Sequence, residues 1–411
     1  MYKNKSFLLV LSLFILAQFA ISQNNTNSPY TRFGYGDISD NNNGEQRAMG
    51  GVAIGSRSTF SINTVNPASY SSVDSLTFMF DIGTSVLGSR FSDTNSSKTT
   101  YNSNLEYVTM QFPLSKSLGF SAGLLPYSFS GYNMYYVDSI KNKEKDNIAY
   151  STSYKGLGGL SQVYAGISGN LFNHISLGVN AYYMYGHIYN THSLRIGSSS
   201  DSTTFVNSIT ANNFRFRYGI QFYNTFAKKH VVTLGLIYEN KAPLNRSFSQ
   251  TIYGVITDTI PNNNKDLQLP SIYGIGLNYT YDKKISVGID YSMQAWKDTK
   301  FGGDSTLLKN RSKLAIGLEY MPNPMGRKYF DRVRYRAGFN MSNSYFNVNG
   351  VNPQNYGITF GMGFPLRNSN TVVNASFEYG KIGSVSVLRE DYFKFTLNAI
   401  FNEHWFFKRK L

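Results

Sequence analysis

Four arginines at alternate positions, Arg215 with Arg217 and Arg334 with Arg336, are the residues of this chain best placed to act on a bound group. In an extended strand positions i and i+2 share a face, so each pair sets two guanidinium groups side by side, an arrangement that suits a carboxylate. The pairs serve either a carboxylate-bearing ligand or an internal ladder of ion pairs with Asp or Glu, and the ladder is the better reading. Covalent chemistry has thinner support. The chain has no Cys, which excludes thiolate nucleophiles, thiolate metal sites, disulfides and a lipid-modified cysteine. Its five His stand at 174, 187, 192, 230 and 404, mostly in turns and loops, and His187 and His192 are five apart, on opposite faces of a strand. No nucleophile elbow, zinc-protease box or phosphate-binding loop is present in the sequence. We read the chain as a non-enzyme with no catalytic residue, no metal site and no cofactor.

The elements that must position these arginines are strands. From Leu76 onward apolar residues recur in a period of two, as in Leu76, Phe78, Phe80 and Ile82, or Ile285, Val287, Ile289, Tyr291 and Met293, with Gly, Ser, Thr, Asn and Asp between them. One face is apolar and the other small or polar, the alternation of a barrel whose outside meets lipid. Strands are expected at 75–91, 99–113, 117–137, 160–171, 175–196, 204–226, 231–257, 268–282, 284–299, 307–321, 329–346, 355–367, 370–383 and 391–405, about fourteen in all. A weaker segment, Ile148 to Tyr154, is either an additional strand or loop. Tight connections (Leu114–Lys116, Phe172–His174, Ala227–His230, Asp282–Lys283, the longer Pro322–Lys328, and Arg367–Ser369) alternate with polar loops near 92–98, 138–159, 197–203, 258–267, 300–306, 347–354 and 384–390. In such barrels the short turns are periplasmic, and an even strand count puts both termini there. A soluble sandwich or propeller is the weaker alternative, because no blade-length repeat is visible and the final strand runs into Trp405-Phe406-Phe407, as an interface girdle would.

Composition agrees. Aromatics make up 16% of the 411 residues and charged residues only 15%, with 36 Gly against 11 Pro, an inventory of strands and turns. The first residues are basic (Lys3, Lys5), then apolar from Phe7 to Ala20, then small, the order of a secretory signal peptide with cleavage expected after Ser22. The formal charge of +15 invites a nucleic-acid reading, but pairs such as Lys228-Lys229, Lys283-Lys284 and Arg327-Lys328 are scattered through turns. They suit lipid headgroups and solvent instead, so outer-membrane lipid is the expected partner and nucleic acid is not. The domain reading is residues 1–22 as signal peptide, 23–73 as a hatch or plug inside the barrel, and 74–411 as an all-β transmembrane antiparallel barrel in the outer membrane.

The plug holds the second set of candidate residues: Arg47, Gly50, Gly51, Phe60, Ile62, Val65, Asn66, Pro67 and Ala68. Gly50-Gly51 lets backbone pack closely against a wall, and Pro67 fixes its own φ and pushes Asn66 toward extended geometry. The plain reading is a packed seal. The sharper one is a movable plug, with Phe60, Ile62 and Val65 lining an apolar pocket. The two arginine pairs should face the lumen or the membrane interface, since a cation facing mid-membrane lipid costs roughly 2–4 kcal/mol.

Three stretches resemble the FadL family of outer-membrane transporters. Arg47-Ala48-Met49-Gly50-Gly51-Val52-Ala53, followed by Phe60 to Ser69 with its Asn66-Pro67-Ala68, is similar to the glycine-rich segment and Asn-Pro-Ala box of that family's hatch. Leu269-Pro270 through Tyr279, continuing from Asp290 to Trp296, looks like its mid-barrel Leu-Pro strand entry and the strand after it. Tyr335 to Phe339, Tyr356 to Phe364 and Phe377 to Tyr379 resemble its closing strands. The opening Ser28-Pro29-Tyr30-Thr31-Arg32-Phe33-Gly34 is similar to Bacteroidota members. The resemblance implies a fourteen-strand barrel with an N-terminal hatch for passive uptake of hydrophobic small molecules such as long-chain fatty acids. Relatives of this kind also serve as non-transporting barrel subunits of secretion or assembly complexes with protein partners, and that is the alternative. A polar porin fits less well, because porins usually lack such a hatch.

Overall fold

Alternating side chains give each strand one face for lipid and one for the interior, and the computed structural model closes such strands into a ring. It describes residues 25–94, 96–140, 148–172, 174–197, 202–254, 257–261, 266–301, 308–348, 350–366 and 371–404. The expected signal peptide, the expected Arg367–Ser369 turn and the aromatic ending Trp405-Phe406-Phe407 lie outside the described residues.

The strands are β1 (Asp37–Ile38), β2 (Thr77–Ser92), β3 (Ser97–Pro113), β4 (Leu118–Ile140), β5 (Ile148–Leu171), β6 (Ile175–Ile196), β7 (Thr203–Phe226), β8 (His230–Glu239), β9 (Ala242–Pro243), β10 (Asn245–Tyr253), β11 (Asp258–Pro261), β12 (Gln268–Leu269), β13 (Ile272–Tyr281), β14 (Ile285–Gln294), β15 (Arg311–Tyr320), β16 (Arg334–Asn343), β17 (Gln354–Pro365), β18 (Val372–Ser384) and β19 (Leu388–His404). Fourteen staves form a closed antiparallel wall: β2 to β7, a seventh made of β8 and β10, an eighth made of β13 with β11 at its head, and β14 to β19, with β19 pairing back onto β2. Ile285, Val287, Ile289 and Tyr291 keep between 38% and 46% of their surface exposed, so the apolar face points outward. Asp81, Gln162, Asn180, Gln221 and Asn398 are buried on the inward face.

Several boundaries differ from the sequence expectation, each for a local reason. Ile148 to Tyr154 is neither loop nor an extra strand but the start of β5, paired on both sides with β4 and β6. The loop expected at 258–267 contains β11, which hairpins onto β10. The loop expected at 384–390 shrinks to three residues between β18 and β19. The single strand expected at 231–257 breaks after Glu239. Pro243 has no N–H to give a ladder, and five residues, 240–244, stand opposite four of β7, so Ala242 and Leu244 turn inward and are buried. The strand expected at 284–299 stops at Gln294, where Trp296 folds in to lie against Tyr345, 4.6 Å between ring centroids.

The wall is uneven. Strands β4 to β7 have 22 to 24 residues, whereas β13 to β16 have ten each. Their extra length lies at the end opposite the tight turns.

Candidate functional site: a pinned lumen segment and a parted seam

The residues before β2 pack against inward side chains drawn from both sides of the wall. Helix Gly44–Ala48 begins with a capping box, in which Asn43 accepts from the Gln46 N–H at 2.8 Å while its own N–H donates to Gln46 Oε1 at 3.0 Å. The chain then turns through Gly50 (φ +69°) and Gly51 (φ +90°). A Cβ on Gly50 would lie 2.6 Å from the Phe339 carbonyl oxygen and 2.8 Å from that of Ile316. Thr359 receives the Gly50 N–H at 2.9 Å and donates to the Ala48 carbonyl at 3.0 Å.

Beyond this turn Asp290 of β14 collects three backbone donors, Ala53 and Ile54 at 2.6 Å each and Gly55 at 3.5 Å. Asn66 is fully buried with φ −116° and ψ 104°; its Oδ1 caps the 3-10 turn Pro67–Ser72 through the Ala68 N–H, and its Nδ2 donates to the Ile54 carbonyl at 2.8 Å. Ala68 is fully buried, and its carbonyl receives Arg57 Nη1 at 3.1 Å. Arg57 also donates to Gln221 and Asn170 of the wall and lies 4.2 Å over the ring of Tyr223.

Ion pairs complete the fastening. Arg47 meets Glu106 at 2.7 Å, and Glu106 also takes Lys394 at 2.6 Å. Asp40 holds Arg311 at 2.8 Å and Lys313 at 2.7 Å. Burial opposes ionisation of Asp40, but the two cations outweigh it and keep its carboxyl well below the usual carboxylate range. Arg215 and Arg217 share Glu239 across the β7–β8 ladder, Arg217 at 2.8 Å, and Arg215 also donates to Gln162 and stacks on Tyr127 and Tyr182. Arg334 and Arg336 share Glu319 at 3.9 and 2.6 Å, and Arg336 reaches Glu45 of the segment at 3.4 Å. Each arginine pair therefore has one carboxylate of its own.

The apolar trio is dispersed. Val65 packs with Ala53, Ile54 and Ile237, Ile62 is buried, and Phe60 is 39% exposed beneath Arg334. Sequence reasoning missed Glu239, Glu319, Glu106, Asp40 and Arg57. For Glu239 a signal existed: folding the hairpin about Ala227–Lys229 sets Arg217 opposite Glu239.

Cavities remain between segment and wall among the described residues. One is bordered by Ile54, Val65, Arg215, Arg217, Asp290 and Lys313. Another, about 1030 Å³ with its open side, is bordered by Asp37, Arg47, Glu106, Arg311, Glu390 and Lys394. Both are charged.

The wall also parts. β3 and β4 pair only from Pro113↔Gly119 to Val108↔Leu124. Just beyond lie two bulges, which set Glu106 beside Tyr107 and Tyr127 beside Pro126, all four buried. The N-terminal segment lies against both sides of this seam. β1 pairs with Ser128 and Phe129 of β4, Thr31 Oγ1 donates to the Gly131 carbonyl at 3.0 Å, and Asn104 of β3 donates to the Asn25 carbonyl at 2.8 Å.

A family model described as BamG matches residues 1–411. No curated protein matches the chain. Among solved structures, the Ralstonia pickettii toluene transporter TbuX is 13% identical with a TM-score of 0.60, over 88% of this chain and 98% of that one. A Pseudomonas aeruginosa FadL homologue is 11% identical with a TM-score of 0.61, over 90% and 99%. The P. putida toluene transporter TodX is 14% identical with a TM-score of 0.55, over 90% and 99%. At these identities the likeness is one of fold, and the family matched along the whole chain carries a different description from the one its motifs resemble.

Proposed function

The chain belongs to the BamG family, and from that premise we propose that it is a non-transporting accessory subunit of an outer-membrane protein assembly or secretion complex. The observation that carries this reading is the fastening of the lumen segment. Arg47, Asp40 and Glu45 form ion pairs with the wall, Asp290 holds three consecutive backbone donors, and Arg57 and Asn66 hold the remainder. A plug that moves would have to separate the buried Arg47–Glu106 pair, at about 3–5 kcal/mol, and the more exposed Asp40 pairs at about 1 kcal/mol. The larger cavity is bordered by Asp37, Arg47, Glu106, Arg311, Glu390 and Lys394, so an apolar cargo entering it would desolvate ions without replacing their hydrogen bonds. Family membership adds weight. In this reading the tight turns and both termini are periplasmic, residues 23–73 act as a permanent seal, and the tall side of the wall stands on the cell surface.

Purification of the tagged protein from its own outer membrane in mild detergent, with mass spectrometry of proteins and lipids, tests this. Stoichiometric protein partners are the expected result; a lone barrel carrying an apolar ligand overturns it.

A second reading, passive uptake of hydrophobic small molecules, is favoured by the β3–β4 seam and by the fold shared with toluene transporters. Because the chain has no Cys of its own, a disulfide between Ile38→Cys and Ser128→Cys, which are paired in register, can lock the seam. Uptake of labelled fatty acid that falls on oxidation and returns on reduction would establish transport. Uptake equal to that of a strain lacking the protein, in either redox state, would remove it.

A further inference from the structure

The tall strands change polarity as they rise. In the barrel zone their outward side chains are apolar (Tyr183, Phe214, Phe216) and their inward ones polar (Gln162, Asn180, Arg217). Above the row that aligns Leu157 with Tyr189 the two faces exchange character. Outward now stand Ser151, Ser153, Thr191, Ser193, Thr204 and Thr251, with Tyr135 and Val137 on edge strand β4 and Val206 and Tyr253 as exceptions. Inward stand Tyr136, Tyr154, His192, Leu194, Ile196 and Phe205, with Asp138, Thr152, Asn190 and Asn207 as polar exceptions, and the rings of Tyr154, His192 and Phe205 stack across three strands at 4.5 and 6.0 Å. A hydroxyl-rich outward face does not suit lipid, so these rows stand clear of the membrane.

Lower on the same inner face, Leu160, Met184, Ile188, Ile209 and Phe248 are covered by the chain itself, through Tyr30, Tyr35, Trp296 and Tyr345. That covering ends before the strands do: Tyr136 is 55% exposed, Ile140 55% and Ile196 52%. Where it ends, Arg32 lies 4.5 Å over Tyr154, exposed and in no ion pair among the described residues.

We propose that this inner face, above the barrel mouth, is the docking surface for a protein partner that presents an apolar edge flanked by a carboxylate for Arg32. The proposal rests on the subunit reading and says where the partner sits. Three features point to a protein: the face continues an apolar interface that the chain builds lower down with its own segments, it is open and sheet-wide where a single acyl chain needs an enclosing groove, and Arg32 at its margin is in no ion pair among the described residues.

The test uses the full chain in its native cells, with benzoylphenylalanine placed at Leu194 or Ile196 on the inner face and at Ser151 or Ser193 on the outer. The inner positions are expected to give one protein adduct and the outer positions none. Arg32→Glu should lower the adduct yield roughly tenfold or more. The partner peptide in the adduct should carry Asp or Glu beside apolar residues, and its reversal to Lys should restore the adduct with Arg32→Glu. Equal yields on both faces, adducts to lipid or lipopolysaccharide, or a yield indifferent to Arg32→Glu overturn the proposal. Heat-modifiable gel mobility checks that each variant is a folded barrel. If a folded Leu194→Asp, Arg32→Glu double variant still co-purifies with stoichiometric partners, this surface is wrong and the subunit reading stands; if the unaltered protein purifies alone, both fall.

Discussion

Strands β13 to β16 and strands β4 to β7 obey the same alternation, yet one set stops at ten residues and the other continues past twenty. About nine to eleven residues suffice for a tilted strand to cross a membrane, so the short side does that and no more. Its connections then fold inward, bringing Trp296 and Tyr345 over the lumen. The tall side supplies the surface those connections pack on, in Leu160, Met184, Ile188 and Phe248, and continues beyond it. The membrane dictates the minimum length, and the excess stands on one side, where the proposed docking surface lies.

The comparison can be broken most forcefully at Glu239, the one carboxylate shared by Arg215 and Arg217 on the tall side. Glu239→Ala leaves two buried cations unpaired and should cost about 3–5 kcal/mol, read as loss of the heat-modifiable band and a lower urea midpoint. Trp296→Ala should cost about 3 kcal/mol and release the short side's inward fold, so proteolysis near Ala295–Thr299 should accelerate while the tall strands stay protected. Gly50→Ala forces a side chain into a left-handed turn against the Phe339 carbonyl, and about 2 kcal/mol is expected.

A smaller effect sharpens the tie between segment and short side at Asp40. Its folded pKa lies below the unfolded one, so its stabilisation is complete above the ordinary carboxylate range and is lost as pH falls toward the folded value. Asp40→Asn should therefore destabilise by about 1 kcal/mol at neutral pH, and the difference from the unaltered protein should shrink on acidification. The smallest effect is expected from Ser153→Ala on the tall side's outward face, within roughly 0.5 kcal/mol in unfolding.

Legibility in the sequence followed the membrane. Where a strand does nothing but cross, as in β14, the period of two stands out because lipid enforces one apolar face, and Ile285 through Tyr291 were readable. Above the membrane that pressure is gone. Ile148 to Tyr154 read as weak because its outward residues are Ala149, Ser151 and Ser153, and only main-chain pairing with β4 and β6 makes it a strand. The arginine pairs were readable as inward cations from their spacing, but Glu319 was not, because the 13 residues between β15 and β16 hide its register with Arg336. Asp40 and Arg57 lie in stretches with no period at all, where only tertiary contact assigns a partner.

The fastened segment also sets an order of events. Ser28 donates to Glu390 at 2.7 Å and Tyr30 to the carbonyl of Leu388, contacts that span 362 and 358 residues of chain. Residues this early cannot find those partners until β19 has been delivered. The beginning of the chain can therefore make these contacts only after its end arrives, which makes ring closure and its fastening non-local, slow steps. What is synthesised first and what is synthesised last are neighbours only in the finished ring.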